Sequence, residues 1–156
     1  MNLPVVVCIG TPSVSGDSLG PLVADILRTD YNLRAYIYGG TNTPVNGVNF
    51  DQYSTFIRER HPTNFIIAVD ACVGEKKDVG KIKYSYNGIS AGGALDKKLA
   101  KTGAIGVLAV VAEKNDDNLQ TLMSVPFSDI EKLSVITAER TARIVNAVLC
   151  LEAEVV

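Results

Sequence analysis

At 156 residues, 47% of them hydrophobic and 21% charged, the chain is long enough to bury a core without staples and too apolar to stay disordered. Its net charge of −2 comes from acids and bases mixed along the chain, so no basic patch marks a nucleic-acid partner. No apolar run reaches the ~20 residues of a membrane span, and the start lacks the basic n-region of a signal peptide. Three scattered cysteines fit a reducing cytoplasm better than a disulfide framework. The expectation is one cytoplasmic domain, residues 1–156, with no nucleic acid, no membrane and no cofactor; a homo-oligomer is compatible with it.

Residues 5–9 form an unbroken, largely β-branched apolar run, the pattern of a parallel strand buried on both faces. Residues 10–16 carry two glycines, a proline and three hydroxyls and make a polar loop. Leu19, Leu22, Val23, Ile26 and Leu27 then recur on one helical face, with Asp17 and Ser18 at the N-cap and Pro21 in the first turn. A turn at 30–33 leads to a second strand at 34–38. The second polar loop, 39–44, is positioned to line the same sheet edge as 10–16. Phe50, Tyr53, Phe56 and Ile57 predict a helix over 49–60, stopped by His61-Pro62. Residues 65–69 read as a third buried strand with Asp70 at its C-terminal end.

Residues 81–86 alternate, Ile82, Tyr84 and Tyr86 against Lys81, Lys83 and Ser85, as a half-exposed antiparallel edge strand would. A glycine-rich loop at 88–93 precedes a short helix over about 94–100. Residues 105–112 form the next buried strand, closing at Glu113. Ser128 to Glu131 has the form of a capping box, followed by one or two helices up to about Glu152. Alternating strands and helices predict an α/β fold: a three-layer sandwich around a mostly parallel sheet. A second–first–third strand order would bring Asp17 and Asp70 to one rim, where open α/β sheets bind ligands.

Two carboxylates on one rim can activate a water or hold a metal ion. The helix dipole and backbone N–H groups are expected to keep Asp17 ionised, whereas desolvation and the neighbouring charge favour protonation of Asp70. The plainer reading makes Asp17 an N-cap and Asp70 a turn residue. Residues 10–18 lack both the Gly-Lys-Ser/Thr ending of a P-loop and the Gly-x-Gly-x-x-Gly of a dinucleotide site. Ser13 and Ser15 sit in no Gly-x-Ser-x-Gly elbow. The only histidine, His61, reads as a surface residue at a helix end, so a serine or cysteine triad has little to work with. Cys8 and Cys150 read as core packing; Cys72, two residues beyond Asp70, could reach the site, but a small buried side chain is its more ordinary reading. Glu113 is a third, weaker rim carboxylate. The cysteines and histidine show no zinc spacing, which leaves only a weakly held Mg²⁺ or Ca²⁺ on a carboxylate pair.

The segments Ile9-Gly10-Thr11, Ser15-Gly16-Asp17-Ser18-Leu19-Gly20-Pro21-Leu22 and Ala68-Val69-Asp70-Ala71 resemble the YyaC sporulation protease family, within the spore germination protease and hydrogenase maturation protease superfamily. The resemblance runs the whole length. It implies a twisted sheet between helices, a phosphorylase/hydrolase-like arrangement. It also implies peptide hydrolysis, since the two aspartates of germination-protease relatives match Asp17 and Asp70. In hydrogenase maturation proteases acidic residues at those positions join a histidine from a later loop to hold nickel of the target protein. The corresponding loop here, 88–93, has no histidine, which favours the peptidase reading. Zymogen control as in the germination protease is not expected, since the first strand starts almost at residue 1.

The sequence therefore predicts a sporulation-associated peptidase acting on a protein or peptide substrate. Asp17 is the expected base, Asp70 polarises the carbonyl or donates a proton, and Gly10, Thr11, Ser15, Gly16, Thr41, Asn42 and Gly92 line the substrate site. Backbone amides of 10–16 are candidate oxyanion donors. The alternatives are a non-enzymatic module binding a peptide, metal ion or partner, and a small-molecule hydrolase on the same framework.

Overall fold

The computed structural model describes residues 2–86, 89 and 104–155. Val5–Cys8 (β1) is buried along its whole length, so it needs a strand on each side and a layer on each face. The sheet provides this: Tyr36–Tyr38 (β2) and Ile66–Gly74 (β3) flank β1 in parallel, Ile105–Glu113 (β5) continues in parallel beyond β3, and Ile82–Ser85 (β4) closes the far edge antiparallel to β5. The expected second–first–third order and antiparallel edge strand are both present.

Successive side chains leave opposite faces, and each face has its own cover. Val6, Cys8, Ile67, Val69, Val107 and Ala109 meet Leu19, Val23 and Leu27 of Leu19–Thr29 (α1) and Ile130, Leu133 and Val145 of Phe127–Glu154 (α4). Val5, Val7, Ile66 and Ala68 meet Phe50 and Ile57 of Phe50–Arg60 (α2). The result is the three-layer α/β sandwich. Gly20 lets α1 come this close: a Cβ there would stand 2.0 Å from the Ile9 carbonyl oxygen.

Several elements depart from expectation. β3 does not end at Val69; Asp70 to Gly74 stay paired with β5, through a register shift between Cys72 and Val73. A six-residue helix, Asn118–Met123 (α3), follows β5, with the Asp117 carboxylate accepting from the Gln120 amide at 3.0 Å. The Ser128 capping box does not form, because α4 has already begun at Phe127 with Pro126 as its N-cap. α4 is a single helix of 28 residues, and the buried hydroxyls of Ser134, Thr137 and Thr141 each donate to the carbonyl four residues back. His61 is buried rather than on the surface: its Nε2 lies 2.7 Å from the Tyr38 hydroxyl, and burial holds its pKa below the usual histidine value. Cys150 is exposed, so it does not pack the core, whereas Cys8 does. The expected 94–100 helix and the 88–93 loop, apart from Ile89, lie outside the described residues.

Candidate functional site

β1 and β3 remain in register up to Cys8 opposite Val69. One residue later β1 turns away: the Ile9 amide still donates to the Val69 carbonyl at 2.8 Å, but Ile9 bridges to Val45 on its other side, and the Gly10 amide donates to the Val45 carbonyl at 2.8 Å. Asp70, the next residue of β3, therefore sits where its neighbouring strand has just ended. The loop after β1 returns to the same place. The Thr11 amide donates to the Asp17 carbonyl at 3.0 Å and lies 3.2 Å from its carboxylate, and Ser15–Asp17 tighten into a 3-10 turn before α1.

Asp17 and Asp70 thereby line one cavity of about 650 Å³, with Thr11, Cys72 and Ser85 as further polar groups. Val14, Val73, Ile89, Leu108, Leu119 and Leu122 supply the apolar wall. Sites of this kind, largely apolar with a few convergent polar groups, are where small ligands and side chains bind.

The electrostatics of Asp17 run opposite to the sequence expectation. Ser18, not Asp17, is the residue before α1, and neither side chain caps the helix. Burial is the larger influence and pushes the Asp17 carboxyl up to about 6, while the Thr11 amide pulls it down. Asp70 is buried, and its Oδ1 accepts from the Ala71 amide at 2.8 Å. Burial, and then the Asp70 charge, raise the Cys72 thiol, so it is a poor nucleophile at neutral pH.

The other expected site residues divide. Thr11 lines the cavity. Gly10 and Gly16 shape the loop: Gly10 has a φ of 151°, and a Cβ on Gly16 would stand 2.8 Å from the Leu122 carbonyl oxygen. Ser15 is a tie, its hydroxyl donating to the Val125 carbonyl at 2.6 Å. Thr41 and Asn42 do not line this cavity; the Thr41 hydroxyl donates to Asp25 at 2.6 Å, which fastens the second loop to the flank of α1. Glu113 is exposed and lines a separate surface cleft with Lys83 and Lys114. Gly92 lies outside the described residues. The amides of Gly10, Thr11 and Val14 already donate to protein carbonyls, and Pro12 has none, so most of this loop has no donor left for an oxyanion. Sequence reading missed α3, whose Leu119 and Leu122 form one wall; the signal was Asp117 followed three residues on by Gln120, a helix-start signature. Among the described residues no group of three or more His, Cys, Asp or Glu side chains is disposed to hold a metal ion.

Residues 2–140 match the model of a family described as a protein of unknown function, DUF1256. The chain belongs to the DUF1256 family. This DUF1256 chain is 38% identical over 107 residues to the uncharacterized protein YyaC of Bacillus subtilis (strain 168), a stretch that covers 69% of the chain and 52% of YyaC. The matched region thus spans about half the length of that relative. In fold the DUF1256 chain is similar to the NiFe hydrogenase maturation protease HycI of Thermococcus kodakarensis KOD1, with a TM-score of 0.58 and 15% identity over 93% of each chain. It is also similar to a hydrogenase 3 maturation protease, with a TM-score of 0.57 and 13% identity over 89% of this chain and 88% of the other. These likenesses establish a shared mixed α/β architecture, a mostly parallel five-stranded sheet flanked by helices. No helix among the described residues is long and apolar enough to cross a membrane.

Proposed function

We propose that this DUF1256 chain is a peptidase that cleaves a protein substrate with water activated by Asp17 and Asp70. The observation that carries the reading is that two carboxylates from separate segments line one largely apolar cavity. The fold it shares with hydrogenase maturation proteases supports the same reaction class.

With its carboxyl pushed up to about 6, Asp17 is mostly ionised at neutral pH and is a stronger base than an ordinary aspartate. It takes a proton from a water held between the two side chains, and the hydroxide attacks the scissile carbonyl carbon. That proton then passes to the departing amine as the C–N bond breaks. Asp70 orients the water or carbonyl from the strand beside it. We infer a cytoplasmic setting from the sparse, scattered cysteines, and a role in the sporulating cell or spore from the motif resemblance of the two aspartate segments.

Wild type, Asp17→Asn and Asp70→Asn should be compared on a peptide library and on candidate spore proteins. Either substitution should lower the cleavage rate by roughly two or more orders of magnitude. Full activity in both variants would dismiss the aspartate mechanism. If wild type cuts nothing yet binds peptides in the cavity, the chain is a binding module.

A further inference from the structure

α3 leaves large apolar side chains exposed beside the cavity it walls. Leu119, which lines that cavity, is still 61% exposed, and Met123, one turn on, is 57% exposed. Phe127, opening α4 four residues later, is 50% exposed. Large apolar side chains left exposed at four-residue intervals, the first of them on the cavity wall, mark an interaction surface. The charge around them is mainly acidic. Between residues 113 and 132 there are five acids, Glu113, Asp116, Asp117, Asp129 and Glu131, against Lys114 and Lys132. Glu113 belongs to the separate cleft it shares with Lys83 and Lys114, which leaves four acids beside α3 and the start of α4. All five acids are exposed, and Asp117 and Asp129 both line a cleft of about 480 Å³ between α3 and the start of α4.

We propose that α3 and the first turn of α4 form a docking surface for a basic amphipathic segment of the protein substrate. Its apolar side chains lie on Leu119, Met123 and Phe127, and its lysines or arginines face the surrounding acids. Charge complementarity selects this occupant: an acidic segment would meet the like charges of Asp116, Asp117, Asp129 and Glu131, and a purely apolar one would leave these acids unused. The surface is continuous with the candidate site through Leu119, so a docked segment passes the adjoining chain into the cavity. The inference rests on the peptidase reading in naming the occupant as substrate.

The test uses two labelled amphipathic peptides with the same leucine pattern, one Leu–Lys and one Leu–Glu, and follows their binding by fluorescence anisotropy. It is run on wild type, Met123→Ser, Phe127→Ser and Asp116→Asn/Glu131→Gln, with Leu151→Ser as a control at an exposed leucine elsewhere on α4. The Leu–Lys peptide should bind wild type about tenfold or more tightly than Leu–Glu, with a preference that shrinks as salt is added. Met123→Ser and Phe127→Ser should each weaken it roughly tenfold, the size of a buried apolar anchor, and the charge variant a few-fold. Leu151→Ser should bind as wild type does. Equal affinity for the two peptides, or equal loss in Leu151→Ser, overturns the proposal. So does a shift from dimer to monomer in Phe127→Ser together with no peptide binding, which would make a second copy the occupant. Substrate cleavage unaffected by Met123→Ser and Phe127→Ser would overturn the docking surface while leaving the peptidase reading intact. Selective Leu–Lys binding by a chain that cleaves nothing would retain the docking surface and remove the reading on which its occupant was named substrate.

Discussion

Asp17→Asn should make the protein more stable while disabling it. Folding moves the Asp17 carboxyl from 3.8 to about 6, chiefly by burial. At ~1.4 kcal/mol per unit the shift corresponds to about 3 kcal/mol. Asp17 is only half-buried, and screening by water reduces this to roughly 1–1.5 kcal/mol. A raised folded pKa means that the folded state holds the proton more tightly than the unfolded state. That contribution is complete below 3.8 and is lost as pH rises through about 6. Asparagine keeps an acceptor for the Thr11 amide and cannot ionise. The variant should therefore melt about 2–5 °C above wild type near pH 8 and converge with it near pH 4. Thermal melts across that range, followed by circular dichroism, make the measurement. A variant that melts below wild type at high pH, or a gap that does not change with pH, would refute the account of Asp17 as a carboxyl held in an unfavourable place.

For wild type, the cleavage rate should fall as pH drops through about 6, where Asp17 takes up its proton, and a pH–rate profile without that limb would count against Asp17 as base. Gly20→Ala should destabilise the protein by about 3 kcal/mol or prevent folding, because its Cβ meets the Ile9 backbone rather than a yielding side chain; a melt within a degree or two of wild type would show that α1 can retreat. Ser15→Ala removes the hydroxyl that donates to Val125 and should cost about 1 kcal/mol in chemical denaturation, with a larger proportional loss in cleavage as α3 loosens from the loop.

The parts of the fold that were legible are those in which local pattern and burial agree. The apolar run at 5–9 has to be central, and the amphipathic stripe from Leu19 to Leu27 has to cover it. The end of β3 was not legible, because Asp70-Ala-Cys-Val-Gly looks like a strand exit; pairing with β5, distant in sequence, keeps it extended. The same long-range context buried His61 under Tyr38 and left Cys150 outside. That Asp17 and Asp70 face one rim could be expected from topology alone, and both line one cavity. The helix wall could not be placed that way, since α3 has too few residues to show a period. The Asp17 environment was misjudged because its position before a helix suggested a solvated cap, whereas the loop folds it back against the cavity.

The pairing of β1 has a consequence for how the chain is made. Val5 pairs with Ile66, and β3 in turn pairs with β5 from Ile67 opposite Ile105. During synthesis the most apolar segment of the sheet emerges first and has to wait for some sixty residues before its inner partner exists. Such distant parallel pairings are slow to form, and a waiting apolar strand whose inner edge stays open after β2 has emerged can join another nascent chain. Slowing translation between residues 10 and 74 should therefore lower the soluble yield, and a chaperone that shields the first strand should restore it.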